Sequence, residues 1–307
     1  MLANGFKDKV QEFLTFLEVE RGLTLNTLNS YRQDLSLLTQ FWLRINSKDN
    51  CEHSLKSILE RYFLYMHKNG MSKSSIARKV SCLKSLERFL QGQGTALELT
   101  LKRPRLEKRL PVYLSVDEMF LLLEQVNAID LPTQHPLRDM AILELLYATG
   151  IRCSELVSIR IKDINFAQKT ILIYGKGRQE RIALFGKKAH EKIQIYLQNE
   201  RAPILNHDET LFLNNRFGRL STRAIQRTLE VFRRFLKINR PITPHKIRHT
   251  FATHLLNQGV DLRVVQELLG HKSLSSTEKY THVTNTELAR MCDNLHPINE
   301  FLKRAKK

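Results

Sequence analysis

Five short segments of the later part of the chain carry side chains able to handle a phosphodiester. They are YATGIRCSEL around Arg152, ILIYGKGRQER around Lys176, PHKIRH with His245 and Arg248, LLGH ending at His271, and EKYTHV with Tyr280. The planar fork of an arginine matches two nonbridging phosphate oxygens. Lys176, flanked by Gly175 and Gly177, would stand at the tip of a tight hairpin able to reach into a groove. His245 and Arg248 share one helical face and can converge on one anion. A phenol of ordinary pKa, about 10, becomes a nucleophile only with cations or a base nearby. Arg152, Arg248, Lys176 and the histidines could supply both to Tyr280.

Each segment alone has a plainer reading. Arg152 could be a surface arginine, GKGR a solvated turn and Tyr280 a packing residue. Other chemistries are excluded by spacing: GKG matches neither a P-loop nor a dinucleotide fingerprint. His249 and His254 invite a metal, but no carboxylate or cysteine completes a set and HExxH is absent, so no metal is expected.

The elements that must position these residues are mostly helical. Leu28, Tyr31, Leu35, Leu38 and Trp42 repeat at 3, 4, 3, 4 spacing, which predicts one buried face of a helix entered near Thr24. Similar patterns over about 5–21, 54–68 and 72–91 predict four helices in the first hundred residues. On the last of them, Lys73, Arg78, Lys79, Lys84 and Arg88 fall at the more polar positions, with Ser72, Ser74 and Ser75 at its start, a suitable phosphate-contacting arrangement. The stretch LKRPRLEKRLP, 101–111, is basic and holds two prolines without periodicity, and reads as a linker, Arg103 and Arg105 included. Ser115 caps a further helix and another spans 137–148. β-Branched runs at 158–161 and 169–174, and a third at 179–185 after the glycine turn, predict a small antiparallel sheet within a mainly α domain. Helical patterns resume from Lys187.

The net charge is +18. Residues 1–110 hold 19 Lys/Arg against 11 Asp/Glu, and the remainder 30 against 20, so both halves are basic and a polyanion touching both is the expected partner. A merely solvated charged surface is the alternative. The four cysteines lie far apart and read as reduced thiols. The longest apolar stretch, 140–151, is too short for a membrane span and contains Glu144, and the N-terminus lacks the features of a secretory signal, so a cytoplasmic protein is expected.

Taken together and in order, Arg152 in ATGIRCSEL, Lys176 in the hairpin turn, His245 and Arg248 as HxxR, His271 in LLGH and Tyr280 in YTHV resemble the full signature of the tyrosine recombinases of the phage integrase family, bacterial Xer type. The NTLNSYRQDL segment resembles their N-terminal domain, so the likeness covers nearly the whole chain. It implies a helical SAM-like DNA-binding domain at 1–100, a basic linker at 101–112, and a catalytic domain at 113–307 whose C-terminal helix near 286–295 docks on a neighbouring protomer. It further implies that Tyr280 attacks the scissile phosphate to leave a 3′-phosphotyrosyl link and a free 5′-hydroxyl. Arg152 and Arg248 would hold the nonbridging oxygens, Lys176 would protonate the leaving oxygen, His245 would assist the tyrosine proton and His271 would hydrogen-bond the phosphate. Glu155 would orient Arg152, and Lys73, Arg78, Lys79, Lys84, Arg103 and Arg105 would contact DNA. Neither ATP nor metal is needed, since the bond energy is kept in the covalent link. The implied partners are a duplex recombination site, a homo- or hetero-tetramer with a second recombinase, and a DNA-translocating division protein. The implied task is resolution of chromosome or plasmid dimers; a phage or transposon integrase, a type IB topoisomerase and a non-enzymatic DNA-binding protein are the rivals.

Overall fold

The computed structural model describes residues 3–23, 25–95, 99, 102–105, 113–175, 180–201 and 209–270. The chain forms two compact units, 1–110 and 111–307.

The first unit is built from four helices: α1 (Ala3–Val19), α2 (Leu25–Asp49), α3 (Leu55–Lys68) and α4 (Lys73–Gly92). Their apolar faces meet as the spacing predicts. Leu28, Leu35, Leu38 and Trp42 of α2 are buried with Ile76, Val80, Leu83, Leu86 and Leu90 of α4. Each such side chain removed from water stabilises the unit by roughly 1.5–3 kcal/mol. Trp42 packs against Phe6 with ring centroids 5.3 Å apart and donates its indole N–H to His53 O at 3.1 Å. Ser54 and Ser72 cap α3 and α4 by accepting backbone N–H groups.

One expectation for this unit is corrected. Lys79 was placed among the exposed DNA contacts, but its Nζ donates to Asp34 Oδ1 at 2.8 Å, and the two side chains are only 4% and 3% exposed. Arg78 lies 2.8 Å from the other Asp34 oxygen while remaining half exposed. Taking a carboxylate out of water on the inner face of α2 is costly unless cations reach it. Of the basic residues of α4, Lys79 therefore serves Asp34 rather than solvent, and Arg78 reaches both. Ser72, Ser74 and Ser75 bond one another through Ser72.

The second unit contains α5 (Val116–Glu124), α6 (Pro136–Thr149), α7 (Cys153–Leu156), three strands β1 (Ile164–Asn165), β2 (Thr170–Tyr174) and β3 (Glu180–Leu184), then α8 (Lys187–Asn199), α9 (Thr222–Phe235), α10 (Pro244–Asn257) and α11 (Leu262–Leu269). Ser115 caps α5 in a capping box with Glu118. Every residue of α6 from Arg138 to Thr149 is buried, because α5, α8, α9 and α10 all pack on it. The polar residues that this position buries are mostly paired: Arg138 donates to Asp139 and to Leu213 O. His254 of α10 uses both ring nitrogens inside the fold. Its Nε2 lies 2.9 Å from Leu114 O and its Nδ1 2.9 Å from the Tyr147 hydroxyl. A carbonyl can only accept, so Nε2 carries the proton and Nδ1 accepts from Tyr147.

The sheet is antiparallel in the order β1-β2-β3, with Ile171 opposite Ala183 and Ile173 opposite Arg181. The β2–β3 hairpin was expected. The first strand was expected at 158–161 but lies at Ile164–Asn165. The segment before it instead forms an isolated bridge, Arg160 with Thr210, and a turn of 3-10 helix at Ile161–Asp163. The partner of Arg160 is about fifty residues away in the chain, so local pattern could not reveal it.

Candidate active site

Two glycines set the frame. Gly150 ends α6 and Gly270 ends α11, both in the left-handed conformation with φ of 58° and 67°. A Cβ on Gly150 would fall 2.4 Å from Phe251 Cδ1, so its absence lets α10 approach the end of α6. Across that approach, Arg248 donates from Nη1 to Gly150 O and from Nη2 to Leu269 O, each at 2.7 Å. One guanidinium thereby joins the carbonyl ends of two helices, where the partial charge is negative. Arg248 is 8% exposed. Burial, together with repulsion from Arg152, pushes its pKa down to about 10, so it remains a cation at neutral pH.

Immediately after Gly150 the chain turns into the short α7. Arg152 stands at its N-cap and Glu155 in its first turn. The Glu155 carboxylate accepts the Arg152 backbone N–H at 2.8 Å and Arg152 Nη1 at 2.9 Å. The Arg152 side chain stays 45% exposed while Glu155 is 5% exposed. A third guanidinium completes the group: Arg181 of β3 donates from Nη1 and Nη2 to the two Glu155 oxygens at 2.9 and 2.8 Å. Two guanidiniums thus share one carboxylate while Arg248 is held by two carbonyls nearby, and the surplus is positive. Such a centre has the charge and the donors to bind an anion.

His245 lies exposed in the first turn of α10, whose N-cap Thr243 accepts the Lys246 N–H. It is one helical turn before Arg248, as the HxxR spacing predicts. His249 is half buried, edge-on to Tyr113. Cys153, next to Arg152, is no rival nucleophile: burial pushes its thiol up to about 11. Lys176, His271 and Tyr280 lie outside the described residues. So does the inter-protomer helix expected near 286–295. Of the expected DNA contacts, Lys73, Arg78, Lys84, Arg103 and Arg105 are exposed, and Lys79 is not. Among the described residues, Asp49, Cys51 and His53 lie close enough together to hold a metal, but Asp49 is already paired with Arg61 and the group belongs to the first unit.

Sequence reasoning missed Arg181. The signal was the strand alternation: with Ile171, Ile173 and Ala183 on the buried face, the residue opposite Ile173 must point inward, and an inward arginine needs a carboxylate.

Residues 113–287 match the phage integrase family and residues 10–94 match its N-terminal SAM-like domain. The chain belongs to the phage integrase family. It is 36% identical over 293 residues to a tyrosine recombinase XerD of Staphylococcus saprophyticus, covering 94% of this chain and 98% of that one. It is 40% identical over 295 residues to a tyrosine recombinase XerC of Oceanobacillus iheyensis, covering 94% and 95%. The fold also matches a XerH site-specific recombinase bound to its difH substrate, with a TM-score of 0.65 at 23% identity over 92% of this chain and 82% of that one. This Xer-type tyrosine recombinase is therefore an enzyme that cuts and rejoins DNA strands through a tyrosine-linked intermediate. Among its described residues no helix is long and apolar enough to cross a membrane.

Proposed function

We propose that this recombinase acts through Tyr280 at the cationic centre formed by Arg152 and Arg248, and that its task is to resolve chromosome or plasmid dimers. The observation that carries the site assignment is the cluster of Arg152 and Arg181 on Glu155 with Arg248 held at the ends of α6 and α11, which offers fixed donors to a phosphate. The Tyr280 oxygen attacks the scissile phosphorus, the bond to the 5′-oxygen breaks, and Lys176 gives that oxygen a proton as it leaves. His245 assists removal of the tyrosine proton, and His271 donates a hydrogen bond to the phosphate. Arg152 and Arg248 oppose the charge that builds on the nonbridging oxygens; a preorganised donor of this kind is worth about 10²–10³ in rate. Attack by the partner strand's 5′-hydroxyl then reverses the step and frees Tyr280. Phosphodiester energy is conserved throughout, so the reaction as written calls for no nucleotide or metal.

The first hundred residues are the DNA-binding domain in this reading, with 101–112 as linker and 113–307 as catalytic domain. Lys73, Arg78, Lys84, Arg103 and Arg105 contact the backbone. Recombination takes place in a tetramer on two duplexes in the cytoplasm, the second recombinase being a copy or a close relative, under control of a DNA-translocating division protein. Support comes from the likeness to XerC and XerD recombinases along almost the full chain.

The test is covalent trapping on nicked duplexes carrying a chromosomal dimer-resolution site. Wild type is expected to accumulate a protein–DNA adduct, and Tyr280→Phe to form none. Equal adduct from Tyr280→Phe sinks the assignment of the nucleophile.

A further inference from the structure

Glu155 is nearly buried and accepts four hydrogen bonds, two from Arg152 and two from Arg181. The two arginines use it differently. Arg152 commits one side-chain nitrogen to it and keeps a half-exposed guanidinium. Arg181 commits both terminal nitrogens in a bidentate pair and is only 15% exposed. Burial works against ionisation of Glu155, but the bonds from Arg181 and Arg152 outweigh it and hold the carboxyl below its usual value. Arg181 also reaches the second helix end of the site: a Cβ on Gly270 would fall 2.7 Å from its Cδ and 3.0 Å from its Nε. That Nε is buried without a partner among the described residues.

We propose that Arg181 is a positioning residue for strand cleavage, fixing the Glu155 carboxylate so that Arg152 presents its remaining donors to the scissile phosphate. The inference rests on the reading of Arg152 as a phosphate contact. Glu155 can orient Arg152 only if it is itself held, and the α7 turn that carries both offers it no other side-chain donor among the described residues. A long arginine allowed to swing loses the preorganisation that makes it useful in a transition state. Supporting groups of this kind typically contribute about 10–100-fold to activity. A lysine at 181 would restore the charge but not the two parallel bonds.

The experiment measures single-turnover adduct formation on two nicked duplexes, one with an ordinary scissile phosphate and one with a methylphosphonate there. The neutral methylphosphonate builds less charge for guanidiniums to oppose. Arg181→Ala, Arg181→Lys, Arg152→Ala and the Arg152→Ala/Arg181→Ala double variant are compared with wild type, with DNA affinity measured in parallel. Arg181→Ala is expected to slow cleavage of the phosphate by about 10–100-fold at near-normal DNA affinity. Arg181→Lys should fall between it and wild type. On the methylphosphonate the cost should largely vanish, and the double variant should be no slower than Arg152→Ala alone. Equal slowing on both substrates, or additive losses in the double variant, would overturn the proposal by showing that Arg181 acts on folding or elsewhere. So would a large effect of Arg152→Ala with none from Arg181→Ala. If Arg152→Ala itself cleaves normally, the reading of the phosphate pocket is at fault, a result distinguishable from the others.

Discussion

Glu144 is the residue whose surroundings least resemble those of an ordinary glutamate. It is 1% exposed within α6, and its Oε2 has no partner among the described residues. Burial, with repulsion from Glu124 after it, pushes its pKa up to about 7 from a usual 4.5. The folded state therefore holds this proton more tightly than the unfolded chain. Stability from this group is complete below pH 4.5, falls as pH rises toward 7, and stays low above it. Glu144→Gln keeps the size and removes the charge. It is expected to stabilise the protein at pH 8 by an amount on the order of 2–3 kcal/mol, and much less at pH 5, as read from urea unfolding midpoints. A gain independent of pH would disprove the account. His254 works in the opposite sense, since burial lowers its pKa and protonation removes the acceptor that Tyr147 uses. Its contribution is lost as pH falls below about 6.5. At this scale the sequence was half legible. Arg152, His245 and Arg248 stand out by type and spacing, whereas the roles of Lys79 and Arg181 depend on Asp34 and Glu155, which are far away in the chain and near only after folding.

The helices of the first unit were readable because a repeating 3, 4 spacing leaves few alternatives for a segment of that length. α6 was readable for another reason: an apolar run too long for a strand and closed by glycine. The strands were readable only where they pair with each other across a short turn, as β2 and β3 do, and not where the β-branched run at 158–161 finds Thr210. The junction between α6 and α7 makes the sharpest demand on sequence. Gly150→Ala would place a side chain in a left-handed conformation and drive its Cβ into Phe251. A loss of roughly 2–4 kcal/mol is expected from strain and overpacking together. Because Gly150 O receives Arg248, cleavage should slow more than DNA binding weakens. A variant with wild-type unfolding midpoint would show that the close approach of α10 is not needed.

Charge is the property that belongs to the whole molecule. With +18 overall and both units basic, affinity for duplex DNA should fall steeply with salt, each neutralised phosphate adding about 0.9 to the slope of log K against log salt. Lys84→Ala should lower that slope by about 0.9 without affecting folding. Lys79→Ala should leave the slope unchanged and cost roughly 3 kcal/mol of stability, because it strips a cation from buried Asp34. If Lys79→Ala lowers the slope as Lys84→Ala does, the buried pair opens on DNA. The bonds from Arg248 to both helix ends have one more consequence. Leu269 is held by the same arginine that is assigned to the phosphate, and Tyr280 follows eleven residues later. A chain of that length spans at most about 40 Å. The side chain proposed as nucleophile is thus leashed to the proposed anion site by a tether of at most that length.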